Sequence, residues 1–434
     1  MGGSFVHDIF DMRTPVLIVK IGHYPLHHGT VGAIRSLGRC GIPVYAITED
    51  RVTPAALSRF LRHRFVWPTT GAESTDRLID GLLRITEEVT AREGRSPIAL
   101  PTDDEAAILL AEQAGALDGR LRMPALAPGL ARELSGKQSL HKLCIEHQVP
   151  SPRSRLPVSL DELDSAAKEL TFPLVAKNAD SYHRLSRPAV GSTTLLPDRT
   201  ALDELTREWG SSMPRVLLQE AIPSATSEDW ICHLYCSADR TRDLVCTGVK
   251  VRSWPPRGGV TAHAYSVANA RLAELSARFC RTVGFRGICD LDWRYDRRDG
   301  EYKLLDFNPR LGAQFRLFRT DRGIDMVRAL HLDLTGRTTP YGRPVNGRRF
   351  TVEILDAPAR IAAGRGRRSA QIPTGASAPP RRAAVGELAW LAVDDPLPAL
   401  AAAVRSTAPA AQRLRQALGT LLPARPVPPP RRPG

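Results

Sequence analysis

Short apolar runs alternate with helical stretches at the start of the chain. "TPVLIVKIG" (14–22) is a buried-strand run. In "HHGTVGAIRSLGRCG" (27–41), Val31, Ile34 and Leu37 recur at helical spacing and Gly41 marks the stop. "IPVYAIT" (42–48) is another strand, which completes a βαβ unit and implies a parallel sheet. "SPIALPTDDEAAILLAEQAG" (96–115) repeats the theme, with a helix opened by Thr102, Asp103 and Asp104. Residues 14–124 therefore form one α/β domain. Ligands of such sheets bind at the carboxyl ends of the strands, which places the His23–Thr30 loop and the Thr102–Glu105 turn beside a pocket. His27 and His28 are either anion contacts at a helix start or exposed loop residues. Asp103 and Asp104 read as ordinary acids of a helix N-terminus.

From about 125 the pattern changes to α+β. "SGKQSLHKLCIEHQVPSP" (135–152) reads as a helix capped by Ser135, with Leu140, Leu143 and Cys144 inward. "FPLVAKN" (172–178), "RVLLQEAI" (215–222), "DWICHLYCS" (229–237) and "LVCTGVKVRSW" (244–254) read as strands. "ARLAELSARFCRTVGF" (270–285) is a helix, and "GICDLDWRYDRRDGEYKLLDFN" (287–308) is a hairpin. Pro, Ala and Arg dominate past 345, where "FTVEILDA" (350–357) is the remaining strand candidate. From 405 onward the composition is that of a disordered tail.

The hairpin carries the chemistry. Cys289, Leu291, Trp293 and Tyr295 point one way, and Asp290, Asp292 and Arg294 the other. In the returning strand Leu305 and Phe307 oppose Asp306 and Asn308. Pairing across Arg297–Glu301 sets Asp292 opposite Asp306 and Asp290 opposite Asn308, with opposed Cβ atoms about 4.5–5.5 Å apart. Carboxylates that close repel unless a cation sits among them. Oxygen ligands without His or Cys describe a hard-cation site, and Arg310 extends the same face toward an anionic group. On spacing alone a solvated face paired with Arg294 and Arg298 is equally open.

Composition narrows the partners. The chain has 434 residues, 42% hydrophobic and 24% charged, enough for two or three packed domains. Of the net charge of +14, +10 falls in residues 340–434, which hold 15 Arg, no Lys and 5 acidic residues, leaving +4 for the body. The basic tail lacks aromatics from 405 on, so stacking on bases is not suggested and a nucleic-acid partner is disfavoured. Seven scattered Cys without a CxxC indicate neither a disulfide framework nor a zinc site. The opening "MGGSFVHDIFDMRT" does not read as a signal peptide, and Asp394, Asp395, Pro396 and Pro398 break the longest apolar stretch. A soluble cytoplasmic protein without a membrane partner is the expectation.

"LLDFNPRLG" resembles the C-terminal signature of the ATP-grasp superfamily, and an ordered set of residues supports it. The resemblance implies that Lys137, Lys177 and a flap with Ser192 and Thr193 contact the nucleotide phosphates. It places Gln219, Glu220, Ala221 and Ile222 at the adenine and Asp229 at the ribose. Lys250 or Arg252 would lie over the triphosphate, Asp292, Asp306 and Asn308 would bind Mg2+ or Mn2+, and Arg310 would face the substrate. "DFNPRLGAQFRLF" with "SLGRCGIPVYA" looks like the carboligase branch that includes D-aspartate ligases. Two departures stand out. The flap holds only Gly191, and the signature acid is Asp306 where Glu is commoner. The family pattern does not settle the role of Asp290.

The implied architecture is a pre-ATP-grasp α/β domain (14–124) and an ATP-grasp domain (125–345) with lobes 125–215 and 216–345. A C-terminal extension (346–404) and the tail (405–434) follow. The implied reaction uses ATP to activate a small carboxylate as an acylphosphate, which an amine then captures. Alternatives are a phosphotransferase on the same fold and an inactive ATP-binding protein. Oligomeric state is open, homodimers being frequent in the family.

Overall fold

The computed structural model describes residues 9–179, 189–191, 193–207, 209, 213–256, 259–340, 342–362, 374–375 and 386–407. The first unit runs β1 (Val16–Val19), α1 (His28–Gly38), β2 (Val44–Thr48), β3 (His63–Val66), α2 (Thr75–Glu93) and β4 (Ile98–Pro101). It ends with α3 (Asp104–Glu112) and the short α4 (Ala114–Leu117). Its sheet has the order β3-β2-β1-β4, and every pair is parallel. All four residues of β1 are buried, because helices cover both faces of such a sheet. That is why "VLIV" lacks alternation.

Asp103 caps α3, accepting from Ala106 N at 2.7 Å, and also takes Ile21 N at 3.0 Å. Burial pushes its carboxyl up to about 6, against the hydrogen bonds it accepts. Neither expectation for the histidine pair holds fully. His27 caps α1, its Nδ1 accepting from Thr30 N at 3.2 Å. His28 is buried, its ring 5.7 Å from that of Phe350 and 5.9 Å from that of Trp390.

Burial pushes His28 down to about 4. The unfolded chain, with an ordinary histidine near ~6.5, takes up a proton first on acidification. The stability conferred by neutral His28 is therefore complete above the unfolded pKa and is lost as pH falls toward 4. By pH 5 the loss is about 2 kcal/mol. Melting curves of wild type and His28→Phe between pH 7 and pH 5 check this: the variant's melting temperature should fall less steeply. Parallel curves would refute it.

Next come α5 (Leu130–Ser135) and α6 (Lys137–Glu146). Ser135 is not the cap expected from the sequence. It closes α5, donating to Ala131 O at 2.8 Å, and Gly136 stands at the α6 N-cap. A small antiparallel sheet follows, built from β5 (Ser154–Arg155), β6 (Leu174–Asn178), β7 (Thr194–Leu196) and β8 (Val216–Glu220) in the order β5-β8-β6-β7. Helices α7 (Leu160–Glu169) and α8 (Arg199–Arg207) pack with it around Leu163, Leu174, Leu202 and Leu218.

The largest sheet holds seven strands: β9 (Ser227–Cys236), β10 (Leu244–Trp254), β11 (Val260–Ser266), β12 (Gly287–Asp296), β13 (Glu301–Asn308), β14 (Arg349–Thr351) and β15 (Gly386–Leu388). Their order is β13-β12-β9-β10-β11-β14-β15. Helix α9 (Ala270–Thr282) covers one face through Leu272, Phe279 and Cys280, against Trp230, Leu291 and Phe307. Helix α10 (Met326–Leu334) joins a core shared with α1 and the other face of the sheet.

The strand expected at 350–357 ends at Thr351, and Glu353 opens α11 (Glu353–Ala362). The C-terminal extension is an integral part of the large sheet, supplying β14 and β15. Beyond it a helix spans 397–407. The tail past 407 and most of the flap lie outside the described residues. Among the described residues no helix is long and apolar enough to cross a membrane.

Candidate active site

The β12–β13 hairpin has the register its alternation demands: Asp292 pairs with Asp306 and Asp290 with Asn308. A bulge after Asp292 then sets Trp293 opposite Leu304. Leu304 is buried as a result, whereas Leu305, expected beside Phe307, is only partly covered.

Cations converge on these carboxylates from three elements. Lys137, the first residue of α6, makes a close ion pair with Asp306. Lys250 on β10 places Nζ 2.6 Å from Asp292 Oδ1. Lys177 on β6 is buried, and desolvation lowers its pKa despite the nearby Asp306. Burial raises Asp306, but Lys137 and Lys177 outweigh it and hold the carboxyl below its ordinary range. Asp292 is raised, because burial and the charges of Asp290 and Asp306 exceed the pull of Lys250. One site thus holds three carboxylates and three lysines.

Arg310 joins the two domains. Its Nε lies 3.4 Å from Asp104 Oδ1 and its Nη1 3.6 Å from Asp290 Oδ2. The next residue, Leu311, donates its N–H to Pro101 O at the end of β4, which seats this loop on the parallel sheet. Helix α1 approaches the same loop closely. A Cβ on Gly29 would lie 2.8 Å from Ala313 Cα, so only glycine lets the two backbones meet.

His233 was not foreseen. It stands opposite Asp290 on β9, fully buried, with Nε2 3.0 Å from Asp290 Oδ1. Burial raises Asp290, but His233, Arg310 and Lys250 together hold it at about 2. Gly312 closes over this pair, since a Cβ there would fall 2.3 Å from His233 Cε1 and 2.7 Å from Asp290 Oδ2. The available signal was a lone polar side chain between Ile231 and Tyr235 on an otherwise apolar strand face.

The remaining candidates lie along the segment between the lobes. Gln219 donates to Ser154 Oγ at 3.0 Å, and Glu220 accepts from Thr171 N at 2.9 Å and faces Arg153 at 3.2 Å. Ala221 N–H goes to Pro173 O and Ile222 O accepts from Arg294, so these two backbone groups already have protein partners. Asp229 is paired with Arg294 at 2.6 Å. Asn308 donates to Asp290 O at 3.1 Å. Arg252 does not join the carboxylates. A register shift after Lys250 breaks the alternation, and Arg252 pairs with Asp356 on α11 at 2.7 Å. Ser192 lies outside the described residues.

An oxygen-only donor set fits a hard cation such as Mg2+. Asp292 Oδ1 and Asp290 Oδ1 are buried, and their near partners are the cationic Lys250 at 2.6 Å and the His233 ring at 3.0 Å, so positive charge already converges where a cation would sit. Asp292, Asp306 and Asn308 are the side chains that would hold it.

Comparison with known proteins agrees on the fold. No family model matches the chain. A D-aspartate ligase from Enterococcus faecium is 23% identical over 293 residues, 65% of this chain and 68% of that protein. Among solved structures, an ADP complex of N5-carboxyaminoimidazole ribonucleotide synthetase superposes with a TM-score of 0.55 at 14% identity, covering 76% of this chain and 81% of the other. An L-amino acid ligase from Bacillus licheniformis gives 0.54 at 16% identity, covering 77% and 76%. The chain thus shares the fold of these proteins, the ATP-grasp fold.

Proposed function

We propose that this protein is an ATP- and Mg2+-dependent carboxylate–amine ligase. The observation that carries the reading is the hairpin register that sets Asp292 against Asp306, with Lys137, Lys177 and Lys250 around them and Arg310 beside. Phosphoryl transfer needs positioning and charge stabilisation more than a protein nucleophile. The lysines would neutralise the phosphates of ATP. Bound Mg2+ would screen the phosphate oxygens from the carboxylates.

A substrate carboxylate oxygen would attack the γ-phosphorus, ADP would leave, and an acylphosphate would form. An amine nitrogen would then attack the acyl carbon, releasing phosphate and a proton. Arg310 stands between the two domains, where it can hold the acylphosphate oxygens. Support for the reaction class comes from the relatives, one a D-aspartate ligase and one an L-amino acid ligase. Aspartate-like amino acids therefore head the panel of acids.

Hydroxylamine trapping tests the reading. Purified protein with Mg-ATP, hydroxylamine and single amino or carboxylic acids should give ADP and a hydroxamate for one acid, both absent in Asp306→Ala. ADP without hydroxamate would point to phosphotransfer instead. ATP binding without turnover across the panel would point to an inactive nucleotide-binding protein.

A further inference from the structure

Three cysteines far apart in sequence meet behind the active-site strands. Cys236 ends β9, Cys280 lies in the last turns of α9, and Cys289 is the third residue of β12. Their Sγ atoms all lie within 4.8 Å of one another, and those of Cys280 and Cys289 are 3.8 Å apart. All three are buried and none is in a disulfide. Three metal–sulfur bonds of about 2.3 Å give sulfur–sulfur edges of about 3.8–4.0 Å. One edge already has this length, and the others need closing by at most ~1 Å.

A second observation sets the group apart from ordinary core cysteines. The Arg240 guanidinium stands beside Cys236. Arg240 has a left-handed backbone, φ 64°, and its buried Nη1 lacks a hydrogen-bond partner. The guanidinium as a whole is half-exposed, and its position beside Cys236 favours negative charge on that sulfur. Three thiolates, one arginine and Zn2+ sum to zero charge, the arrangement a buried site tolerates best, whereas Cu+ needs one cysteine to stay protonated for the same balance.

We propose that Cys236, Cys280 and Cys289 form a sulfur site for a thiophilic d10 metal ion, Zn2+ or Cu+, beneath the β9–β10 turn. Soft thiolates select such ions over the Mg2+ preferred by the oxygen site. An ion there would tie β9, α9 and β12 together. Strands β9 and β12 present His233, Asp290 and Asp292 from their opposite face. Metal at this site would therefore brace the hairpin from behind without touching substrate.

The test uses the full chain, stripped of metal, reduced and kept anaerobic, with excess Mg2+ to fill the oxygen site. One arm is titrated with Co2+ as a spectroscopic stand-in for Zn2+, the other with Cu+ against a chromogenic chelator. One equivalent should bind in at least one arm, with sulfur-to-metal charge-transfer absorption and sulfur scatterers in X-ray absorption. The arm that responds names the ion. Cys280→Ser and Cys289→Ser should each lose the signal, and Cys246→Ser, a buried cysteine outside the group, should keep it. Absence of sulfur ligation in both arms of the wild type overturns the proposal. So does a signal that survives both serine variants. The wild-type titrations decide even if a variant fails to fold.

Discussion

Asp306→Asn is expected to lower turnover by about 10^3-fold while the fold and nucleotide binding persist. Asp306 meets Lys137 in a close ion pair and is also felt by Lys177. Its charge therefore organises two lysines, which on the proposed reading face the phosphates, and on that reading it is also a metal ligand. A unit charge at about 4 Å in a partly buried site is worth on the order of 4 kcal/mol before desolvation is subtracted. Asparagine keeps the volume and one oxygen but loses that charge. Without metal, ADP should bind the variant at least as well as wild type, because one repulsion of the phosphates has gone. The Mg2+-dependent gain in affinity should shrink. Asp306→Glu, which restores the charge on a longer arm, should recover part of the activity. Steady-state ADP release and calorimetric ADP binding with and without Mg2+ separate these effects. Asn turnover within tenfold of wild type would remove Asp306 from the chemistry.

The carboxylate pairing was legible because a strand has a period of two: once Cys289, Leu291 and Trp293 face the core, Asp290 and Asp292 cannot. The parallel sheet was legible for a related reason, since strands buried on both faces show as unbroken apolar runs. Bulges were not legible. One after Asp292 turns Leu305 outward, and another after Lys250 hands Arg252 to Asp356. Nothing in a local pattern announces an extra residue in one strand.

Residues that meet only through tertiary contact were equally hidden. His233 gains its role from a strand that lies 57 positions along the chain, opposite Asp290. The thiols of Cys236, Cys280 and Cys289 come from two strands and a helix without any spacing motif. The C-terminal strands are three residues each, too short for alternation to register, and their partners in the sheet define them.

That dependence on partners makes Asp395→Ala the largest expected stability change. Asp395 is 1% exposed and accepts from Arg35 Nε at 2.9 Å, Ser58 Oγ at 2.7 Å and Arg59 N at 2.9 Å. Arg35 also donates to Trp390 O and Asp395 O, so the carboxylate lies at the centre of the joint between the C-terminal segment and α1. Removing one member of a buried ion pair leaves the other uncompensated, at a cost of about 3–5 kcal/mol. The segment carrying β15 and Trp390 should then detach more often, exposing His28 and the edge of β14. Limited proteolysis should cut within 386–407 sooner than in wild type, with a lowered first melting transition. Replacing both partners, as Arg35→Met with Asp395→Leu, should recover most of the loss, because an apolar pair leaves no stranded charge. An Asp395→Ala protein with wild-type melting and proteolysis would show that β14–β15 pairing alone holds the segment. A double variant as weak as the single one would instead assign the joint to the hydrogen bonds from Ser58 and Arg59.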